Sequence, residues 1–463
     1  MERYDLVVIG AGPGGYVAAI RAAQLGLKTA VVEKDKPGGV CLNWGCIPSK
    51  AILTSAELYE SIKEGEHFGV KVQGLSFDYG QVIKRSREVA ERLAKGVEFL
   101  LRKNKIPLLA GSGSLEGKNR VVITTADQGA QQVEADRILI ATGSGERSLP
   151  GLAIDGKYVL TSREALIDTE VPEAILIIGG GAVGVEFAYI YSAFGSRVTI
   201  VEMEPQILPG VDGEVARELE RIFRKKGIEI LTSTRFQSVE KFPGRVEVTL
   251  ESNGDLKHRT ANKVLVAVGR SPLSSGLGLE SLGVEFNRGY LTVNERMQTA
   301  NDAIYAIGDV NGPPLLAHAA SEEGVAAIEF MTGNRDTALD HLRIPACIYC
   351  QPEIAVIGLS EEQAQARGYD VKIGKFPFRA LGKAIAAGHE EGFVKLVIDK
   401  TYGEVLGCHI IGHGATDLIA EAGLARTLEA TTAELSGTVH AHPTLAEAIM
   451  EAALAAEGRG INF

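Results

Sequence analysis

The residues whose spacing most directly indicates chemistry are two cysteines five positions apart, Cys41 and Cys46. Five residues of a regular helix rise about 7.5 Å, whereas a disulfide usually needs Cα atoms within about 6.8 Å. An oxidised pair would therefore need a distorted turn, which Asn43 and Gly45 permit. The helical pattern from Ala51 onward would also bring both thiols near a helix N-terminus, where a thiolate is stabilised. The segment predicts a labile, reactive disulfide, and the alternative is two buried, reduced cysteines packed as small hydrophobic residues.

The segment 440–447 holds a second candidate group. There His442 and Glu447 could form an acid–base pair in which the carboxylate orients the imidazole and raises its basicity. Thr444 and Glu447 also match a capping box, which would simply begin a helix over residues 445–456. The spacing alone leaves both interpretations open. The two histidines of the segment have no third ligand nearby in the sequence, so we predict no metal site.

Two copies of a dinucleotide-binding pattern supply the framework that must position these groups. The first copy is an apolar strand over 4–9, a glycine-rich turn over 10–15, a helix of small residues, and a second strand that ends at Glu33. Glycine lets the backbone approach a pyrophosphate, the helix N-terminus supplies N–H donors, and the carboxylate accepts hydrogen bonds from a ribose. One such motif is weak evidence, because a tight strand–helix turn can also produce it.

The second copy repeats every part of the first. An apolar run over 175–178 precedes the glycines of 179–184, and the following helix and strand end at Glu202. In both copies the acidic residue lies eighteen positions after the third glycine of the motif, and a similar late strand follows, 137–143 or 263–269. Two homologous nucleotide domains are the simplest explanation. Glu202 would repel a 2′-phosphate and has no arginine beside it, so the second site should prefer NAD to NADP.

Composition and charge exclude several classes of protein. The 463 residues predict about three domains, and a net charge of −11 argues against a nucleic-acid partner. No apolar run approaches the roughly 18 residues of a membrane-spanning helix, and the N-terminal segment lacks the features of a signal peptide. We therefore expect a cytoplasmic protein with no membrane partner. Cys347, Cys350 and Cys408 lie in apolar, strand-like runs and are interpreted as core residues.

In this order, the motifs resemble the pyridine-nucleotide disulfide oxidoreductases over nearly the whole chain. The resemblance rests on both glycine motifs, the segment 39–50 with its two cysteines, the turn 307–309 and the segment 440–444. It implies an α/β fold with two Rossmann-like dinucleotide-binding domains and a C-terminal α+β dimerisation domain. The implied domains are 1–145 for FAD, 146–272 for NAD, a central segment 273–340 that completes the FAD site, and 341–463 for dimerisation.

The resemblance also assigns catalytic roles to individual residues. Cys41 looks like the thiol that exchanges with the substrate, and Cys46 looks like the thiol that adjoins the flavin. His442 matches the family's base, which Glu447 would orient. The mechanism implied by the resemblance therefore divides thiol exchange from electron transfer between two adjacent sulfur atoms.

Further residues are assigned to the two cofactors. The resemblance pairs Lys50 with Glu186 near the flavin, and it assigns Glu33 to the adenosine ribose. The residues implied to hold FAD are Gly10, Gly12, Gly14, Gly15, Glu33, Lys34, Gly39, Lys50, Gly113, Thr142, Gly143, Asp309, Leu316, Ala317 and His318. The residues implied to hold NAD are Gly179, Gly181, Val183, Gly184, Glu202, Gly269 and Arg270.

Within the family, the chain most resembles the members that oxidise protein-bound dihydrolipoamide to lipoamide, through a Cys41–Cys46 disulfide and FAD, and reduce NAD to NADH. Such members imply a homodimer that binds the lipoyl domain and acyltransferase core of a 2-oxo acid dehydrogenase complex. The alternatives are another flavin disulfide reductase on the same scaffold and a docking subunit without turnover. Three positions depart from the usual family pattern and bear on the shape of the substrate pocket, namely Trp44, Leu273 and Ala446.

Overall fold

The computed structural model describes residues 1–125, 127 and 129–463. The elements of its N-terminal part are β1 (Glu2–Ile9), α1 (Pro13–Gln24), β2 (Thr29–Glu33), α2 (Gly39–Trp44), α3 (Cys46–Lys63), α4 (Tyr79–Lys103), β3 (Leu108–Ala110), β4 (Ser112–Leu115), β5 (Arg120–Thr124), β6 (Ala130–Ile140) and β7 (Ser144–Glu146). The sheet has the order β3-β2-β1-β6-β5-β4, and β1 pairs in parallel with both β2 and β6. The central strands are apolar and buried on both faces, as parallel strands between helices usually are. This arrangement brings the carboxyl ends of β1 and β2 beside the start of α1.

The second part repeats this architecture. Its elements are β8 (Val159–Leu160), α5 (Ser162–Ala165), β9 (Ala174–Ile178), α6 (Ala182–Ala193), β10 (Arg197–Val201), α7 (Gly213–Lys225), β11 (Glu229–Leu231), β12 (Thr234–Phe242), β13 (Arg245–Ser252), β14 (Asp255–Ala261), β15 (Lys263–Val266) and β16 (Arg270–Pro272). A parallel sheet has the order β11-β10-β9-β15-β8, and β12, β13 and β14 form an antiparallel sheet beside it. The short strand β16 pairs with β7, so the two parts are joined by a two-stranded antiparallel ribbon.

The central segment returns to the first sheet. Its elements are β17 (Phe286–Asn287), β18 (Tyr290–Leu291), β19 (Ile304–Ala306) and α8 (Ala317–Met331). β19 pairs in parallel with β6, and α8 packs closely against α1. That packing depends on small residues, since a Cβ at Gly324 would lie 2.8 Å from the backbone oxygen of Gly14. The 3-10 turn Gly308–Val310 therefore lies at the carboxyl end of the first sheet.

The C-terminal part is an α+β unit. Its elements are β20 (Ala346–Ile348), β21 (Ile354–Gly358), α9 (Glu361–Ala366), β22 (Val371–Pro377), α10 (Gly382–Ala387), β23 (Phe393–Asp399), β24 (Val405–Ile411), α11 (Ala415–Thr427), α12 (Thr432–Gly437) and α13 (Glu447–Ala456). The antiparallel sheet has the order β20-β21-β24-β23-β22. Lys395 is buried and binds Asp212 and Glu214, which anchors this sheet to the second part. The predicted core positions of Cys350 and Cys408 are confirmed, because both are fully buried, whereas Cys347 is half-buried.

The predicted fold class is confirmed, and the differences concern where elements begin and end. The late strands end at Ile140 and Val266, earlier than predicted, and the glycines Gly143 and Gly269 that closed the predicted strands have positive φ, which is not extended backbone. The helix predicted over 445–456 begins at Glu447. Among the described residues, no helix has the length and apolar character needed to cross a membrane, and no group of three or more histidine, cysteine, aspartate or glutamate residues is arranged to hold a metal ion.

Candidate active site

The two cysteines of the site lie on separate helices. Cys41 is in α2 and Cys46 is the first residue of α3, with Gly45 between the helices at φ −154° and ψ −112°. Helix α3 thus begins five residues earlier than the sequence pattern predicted, and it has no side-chain cap. Both cysteines are half-buried thiols. The break at Gly45 supplies the distorted turn that a Cys41–Cys46 bond would need.

The two thiols have opposite acid–base properties. Their mutual hydrogen bond is the largest influence on both: it lowers the pKa of Cys46 to about 7 and raises the pKa of Cys41. The ammonium of Lys50 also lowers the pKa of Cys46, against the opposing effect of burial. Of the two, Cys46 is therefore the thiol that loses its proton more readily, with Cys41 as its hydrogen-bond donor. The thiolate is the reactive form of cysteine in exchange chemistry.

An ion pair joins this helix to the second nucleotide fold. The Lys50 Nζ lies 2.9 Å from each carboxylate oxygen of Glu186, which is on α6 and almost completely buried. The backbone N–H of Tyr349 donates to Glu186 at 3.0 Å, and the Lys50 Nζ lies 4.3 Å from the centroid of the Tyr349 ring. Sequence reasoning missed Tyr349, because its segment was interpreted only as a strand that enters the core. An aromatic residue directly after the short strand β20 was the available signal.

The first glycine-rich turn is shaped to receive a nucleotide. A Cβ at Gly10 would lie 2.3 Å from the Ala141 oxygen, and one at Gly15 would lie 1.9 Å from the Gly10 oxygen, so the chain itself requires glycine at both positions. Gly12, in contrast, has no protein atom within 4 Å of its Cβ position. It precedes the N-terminus of α1, which has no side-chain cap. Open space beside uncapped N–H groups is what the pyrophosphate of FAD would need.

The second turn has the same construction. A Cβ at Gly179 would lie 2.3 Å from the Ala267 oxygen, a Cβ at Gly184 would clash with the Gly179 oxygen, and Gly181 faces open space before the uncapped helix α6. The acidic residues also correspond. Glu33 accepts N–H bonds from Ala11 at 2.7 Å and Asp35 at 2.8 Å, while Glu202 accepts them from Gly180 at 2.7 Å and Glu204 at 2.9 Å. Each carboxylate is thereby held beside its turn and retains lone pairs for ribose hydroxyls.

The other residues implied for FAD surround the same edge of the first sheet. A Cβ at Gly113 would lie 3.1 Å from the Ile9 side chain and 3.2 Å from that of Val32, and Thr142 donates its hydroxyl to the Leu273 oxygen at 2.7 Å. Leu316 and Ala317 form the N-terminus of α8, whereas the His318 ring contacts the Pro345 oxygen. Gly14 lies inside α1 against α8, and Gly39 begins α2. Lys34 follows β2 directly, whereas Gly143 immediately precedes β7.

Arg270 does not lie in the second glycine-rich turn. Its guanidinium donates to the Ser144 hydroxyl and to the Ser144 carbonyl, each at 2.7 Å, and its Nε is 3.8 Å from the Asp309 carboxylate. Ser144 in turn donates its hydroxyl to Asp309. Arg270 therefore links the ribbon of β7 and β16 to the central segment. Val183, also implied for NAD, is exposed at the start of α6, and Gly269 faces open space at φ +101°.

The two histidines of the segment 440–447 have different environments. His440 is almost completely buried, and its ring nitrogens contact the Thr438 oxygen at 2.9 Å and Glu421 at 2.8 Å. The side chain of His442 is 78% exposed, and its Nδ1 lies 2.9 Å from Glu447. Among the described residues, the Nε2 of His442 has no hydrogen-bond partner. Of the two imidazoles, only that of His442 is therefore open to solvent.

Glu447 performs both of the functions that the sequence left open. One carboxylate oxygen contacts His442, and the other accepts the backbone N–H of Thr444 at 2.9 Å. The Thr444 hydroxyl donates to the Ala441 oxygen, so only half of the predicted capping box forms.

The structure does not bring His442 to the cysteines of its own chain. The side chains that act electrostatically on the two thiols are Lys50, Glu186 and Asp309.

Comparison with known proteins decides the family. The model for the pyridine nucleotide-disulphide oxidoreductases matches residues 4–324, and the model for their dimerisation domain matches residues 344–453. The chain belongs to this family. As a member, it is a flavoprotein disulfide oxidoreductase and uses FAD and NAD(H).

Relatives within the family are similar over the full length. The dihydrolipoyl dehydrogenase of Bacillus subtilis is 46% identical over 99% of both chains, and that of Chlorobaculum tepidum is 48% identical over 97% of this chain and 96% of the relative. Among solved structures, LpdA from Mycobacterium tuberculosis has a TM-score of 0.91 and 29% identity, over 98% of this chain and 99% of that chain. The HOCl-induced flavoprotein disulfide reductase RclA from Escherichia coli, solved as a Cu(II) complex, has a TM-score of 0.88 and 25% identity, with 98% and 99% covered.

Trp44, which departs from the usual family pattern, joins the two nucleotide folds. The guanidinium groups of Arg163 and Arg87 lie over its indole ring, 4.0 and 4.6 Å from the ring centroid, and its Nε1 donates to Asp35 at 3.0 Å. Arg163 belongs to α5 of the second fold and Arg87 to α4 of the first. Cation–π stacking of this kind is worth about 0.5–1 kcal/mol per contact at exposed sites. These contacts of Trp44 help to hold α2, which carries Cys41, against α5 of the second fold.

Replacing Arg163 with alanine should shift the fluorescence emission of Trp44 to longer wavelength, because one face of the indole becomes exposed to water. The measurement is direct, since Trp44 is the only tryptophan. Arg197→Ala, which removes an arginine whose side chain is 76% exposed on the same fold, is the control and should leave the emission unchanged. An Arg163→Ala spectrum that coincides with that of the control would show that the stacking does not form in solution.

Proposed function

We propose that this enzyme oxidises protein-bound dihydrolipoamide to lipoamide and reduces NAD to NADH. The observation that carries the proposal is the thiol pair on α2 and α3, with a thiolate favoured at Cys46 and an exposed histidine–glutamate pair in the dimerisation domain. The full-length relatives are named as dihydrolipoyl dehydrogenases, which supports the same substrate.

His442 and the cysteines divide the thiol chemistry. The Nε2 of His442 accepts a proton from a substrate thiol, while Glu447 holds Nδ1 and stabilises the resulting imidazolium. The substrate thiolate attacks the Sγ of Cys41, and the Cys41–Cys46 bond breaks with its electron pair on Cys46. The second substrate thiol then attacks the substrate sulfur of the mixed disulfide, which closes the lipoamide disulfide, and its proton passes to the Cys41 thiolate that leaves. Transfer of the electron pair from the dithiol to NAD as a hydride is the chemistry that bound FAD supplies.

The first fold would hold FAD and the second NAD. The uncapped turn at Gly12 and the carboxylate of Glu33 would bind the adenosine diphosphate part of FAD. The carboxylate of Asp309 would accept hydrogen bonds from hydroxyl groups elsewhere in FAD. The turn at Gly181 and the carboxylate of Glu202 suit NAD. Lys50 and Glu186 would lie between the two cofactors. This assignment gives the domain boundaries proposed from the sequence, with 1–145 and 273–340 for FAD, 146–272 for NAD and 341–463 for dimerisation.

The dimerisation domain supports a shared active site. The His442 side chain is exposed, its ring bonds to Glu447 rather than to a thiol of its own chain, and it lies inside the region that matches the dimerisation model. We infer that the working unit is a homodimer in which His442 of one protomer completes the thiol site of the other. The dimer would act in the cytoplasm on the lipoyl domain of a 2-oxo acid dehydrogenase complex and bind its acyltransferase core.

A side-by-side assay tests the proposed substrate. The purified enzyme is supplied with dihydrolipoamide and either NAD or NADP, and separately with glutathione disulfide and either NADH or NADPH. We expect rapid turnover with dihydrolipoamide and NAD and little with the other combinations. Faster reduction of glutathione disulfide would assign the chain to another flavin disulfide reductase, and no turnover in any combination would favour a docking subunit.

The replacement Glu202→Gln should raise the ratio of kcat/KM for NADP to that for NAD by about tenfold or more, because a buried carboxylate next to the ribose repels a 2′-phosphate. Glutamine keeps an acceptor oxygen for the Gly180 N–H, so the change is mainly one of charge. Glu33→Gln removes the corresponding carboxylate of the first fold and should leave the ratio unchanged. Equal ratios in wild type and Glu202→Gln would contradict the assignment of NAD to the second fold.

A further inference from the structure

A buried carboxylate lies behind the turn that carries Asp309. Glu323, on α8, is 3% exposed and has no role in the chemistry described above. One of its oxygens accepts the backbone N–H of Gly308 at 2.7 Å and lies 3.4 Å from the Asn311 side-chain nitrogen. The other oxygen lies 2.9 Å from the Nε2 of His341. All the partners of this carboxylate thus belong to the turn or to the segment that leads into the C-terminal part.

Such a group is costly to bury unless its hydrogen bonds are made. Here the bonds are concentrated on one short turn, whose first residue, Gly308, has φ +71°. A Cβ at Gly308 would lie 2.9 Å from the Cβ of Ala320, so the turn is pressed against the same helix that carries Glu323. Held in this way, the turn presents the carboxylate of Asp309 toward Ser144 and Arg270 on the opposite side.

We propose that Glu323 is a positioning residue for FAD binding, which acts by fixing the Gly308–Val310 turn and, with it, Asp309. The inference rests on the proposed assignment of Asp309 to the FAD site. His341 bonds to the same carboxylate and connects it to the segment that leads into the dimerisation domain. Disturbing that segment should therefore weaken FAD retention, although His341 itself has no contact with the turn.

The test measures the rate at which the purified holoenzyme releases FAD after dilution, followed by flavin fluorescence, together with the thermal midpoint of unfolding. Glu323→Ala should release FAD at least about tenfold faster, since it leaves the Gly308 N–H without its buried acceptor. Glu323→Gln should have a smaller effect, because one acceptor oxygen remains. The control is Glu451→Ala, which removes an equally buried glutamate from α13, remote from the turn.

The outcomes separate positioning from general stability. We expect Glu323→Ala and Glu451→Ala to lower the thermal midpoint to a similar degree, with faster FAD release in Glu323→Ala alone. Equal release rates in both variants, or wild-type retention in Glu323→Ala, would overturn the proposal. If Glu323→Ala does not fold, His341→Gln replaces it, with an expected two- to fivefold faster release, and an unchanged rate would overturn the proposal.

Asp309→Asn makes failure of this inference distinguishable from failure of the FAD assignment. Faster release in Asp309→Asn with wild-type retention in both Glu323 variants would reject the role of Glu323 and leave the assignment of Asp309 intact. Wild-type retention in all three variants would reject both.

Discussion

Replacing His442 with asparagine should lower kcat with dihydrolipoamide by about 10²–10⁴-fold, the usual contribution of a positioned general base, whereas His440→Asn should retain most of the activity. The two histidines are separated by a single residue, and each has a glutamate partner. They differ in that both ring nitrogens of His440 are engaged, while the Nε2 of His442 points away from its partner into open space. The chain therefore provides its own control for the loss of an imidazole.

A second readout separates chemistry from folding. Reduction of a dye by NADH through FAD needs no proton transfer from a substrate thiol, so His442→Asn should leave this activity near that of the wild type. Glu447→Gln should have an intermediate effect on dihydrolipoamide oxidation, because the imidazole remains but its orientation and charge stabilisation are weakened. Near-normal turnover in His442→Asn would show that the segment serves only to begin α13.

A mixed dimer of Cys41→Ser and His442→Ala protomers should recover about half of the activity of the wild-type dimer. Each parent homodimer should be nearly inactive, because every site lacks a reacting group. If His442 acts on the thiols of the partner protomer, one site of the mixed dimer contains both substitutions and the other contains neither. If each chain is self-sufficient, both sites of the mixed dimer remain damaged.

The mixed dimer can be isolated with a different affinity tag on each protomer. The essential control is a dimer of one tagged wild-type protomer and one Cys41→Ser protomer, which should also retain about half of the activity under either arrangement. A purified mixed dimer as inactive as its parents, beside an active control, would contradict the shared site. Full activity would contradict the requirement for both groups.

The sequence predicted the nucleotide folds well because their constraints are local. Gly10, Gly15 and their counterparts Gly179 and Gly184 are required by backbone clashes within the turn itself, and such constraints appear directly as a spaced motif. The break between the two cysteines could also be anticipated, since regular helix geometry is incompatible with a bond at that spacing. The predicted start of the following helix was nevertheless wrong, since α3 begins at Cys46. A pattern of apolar residues does not reveal the first turn of a helix.

The parts that could not be predicted depend on contacts between distant segments. Spacing cannot separate His440 from His442, because the difference lies in Glu421, which is nineteen positions from His440. Arg270 follows a glycine of the second fold but contacts Ser144 in the first, across the ribbon of β7 and β16. Tyr349, in the C-terminal part, contacts the Lys50–Glu186 ion pair, and this contact between distant segments could not be predicted either.

Differential alkylation can test whether Cys41 and Cys46 form the disulfide that receives electrons from dihydrolipoamide. The oxidised holoenzyme is treated anaerobically with one equivalent of dihydrolipoamide in the absence of NAD, denatured, alkylated and analysed by peptide mass spectrometry. We expect two new alkylated thiols, at Cys41 and Cys46, and no change at Cys347, Cys350 or Cys408. Unchanged labelling of Cys41 and Cys46, or new thiols at Cys347 and Cys350 instead, would contradict it.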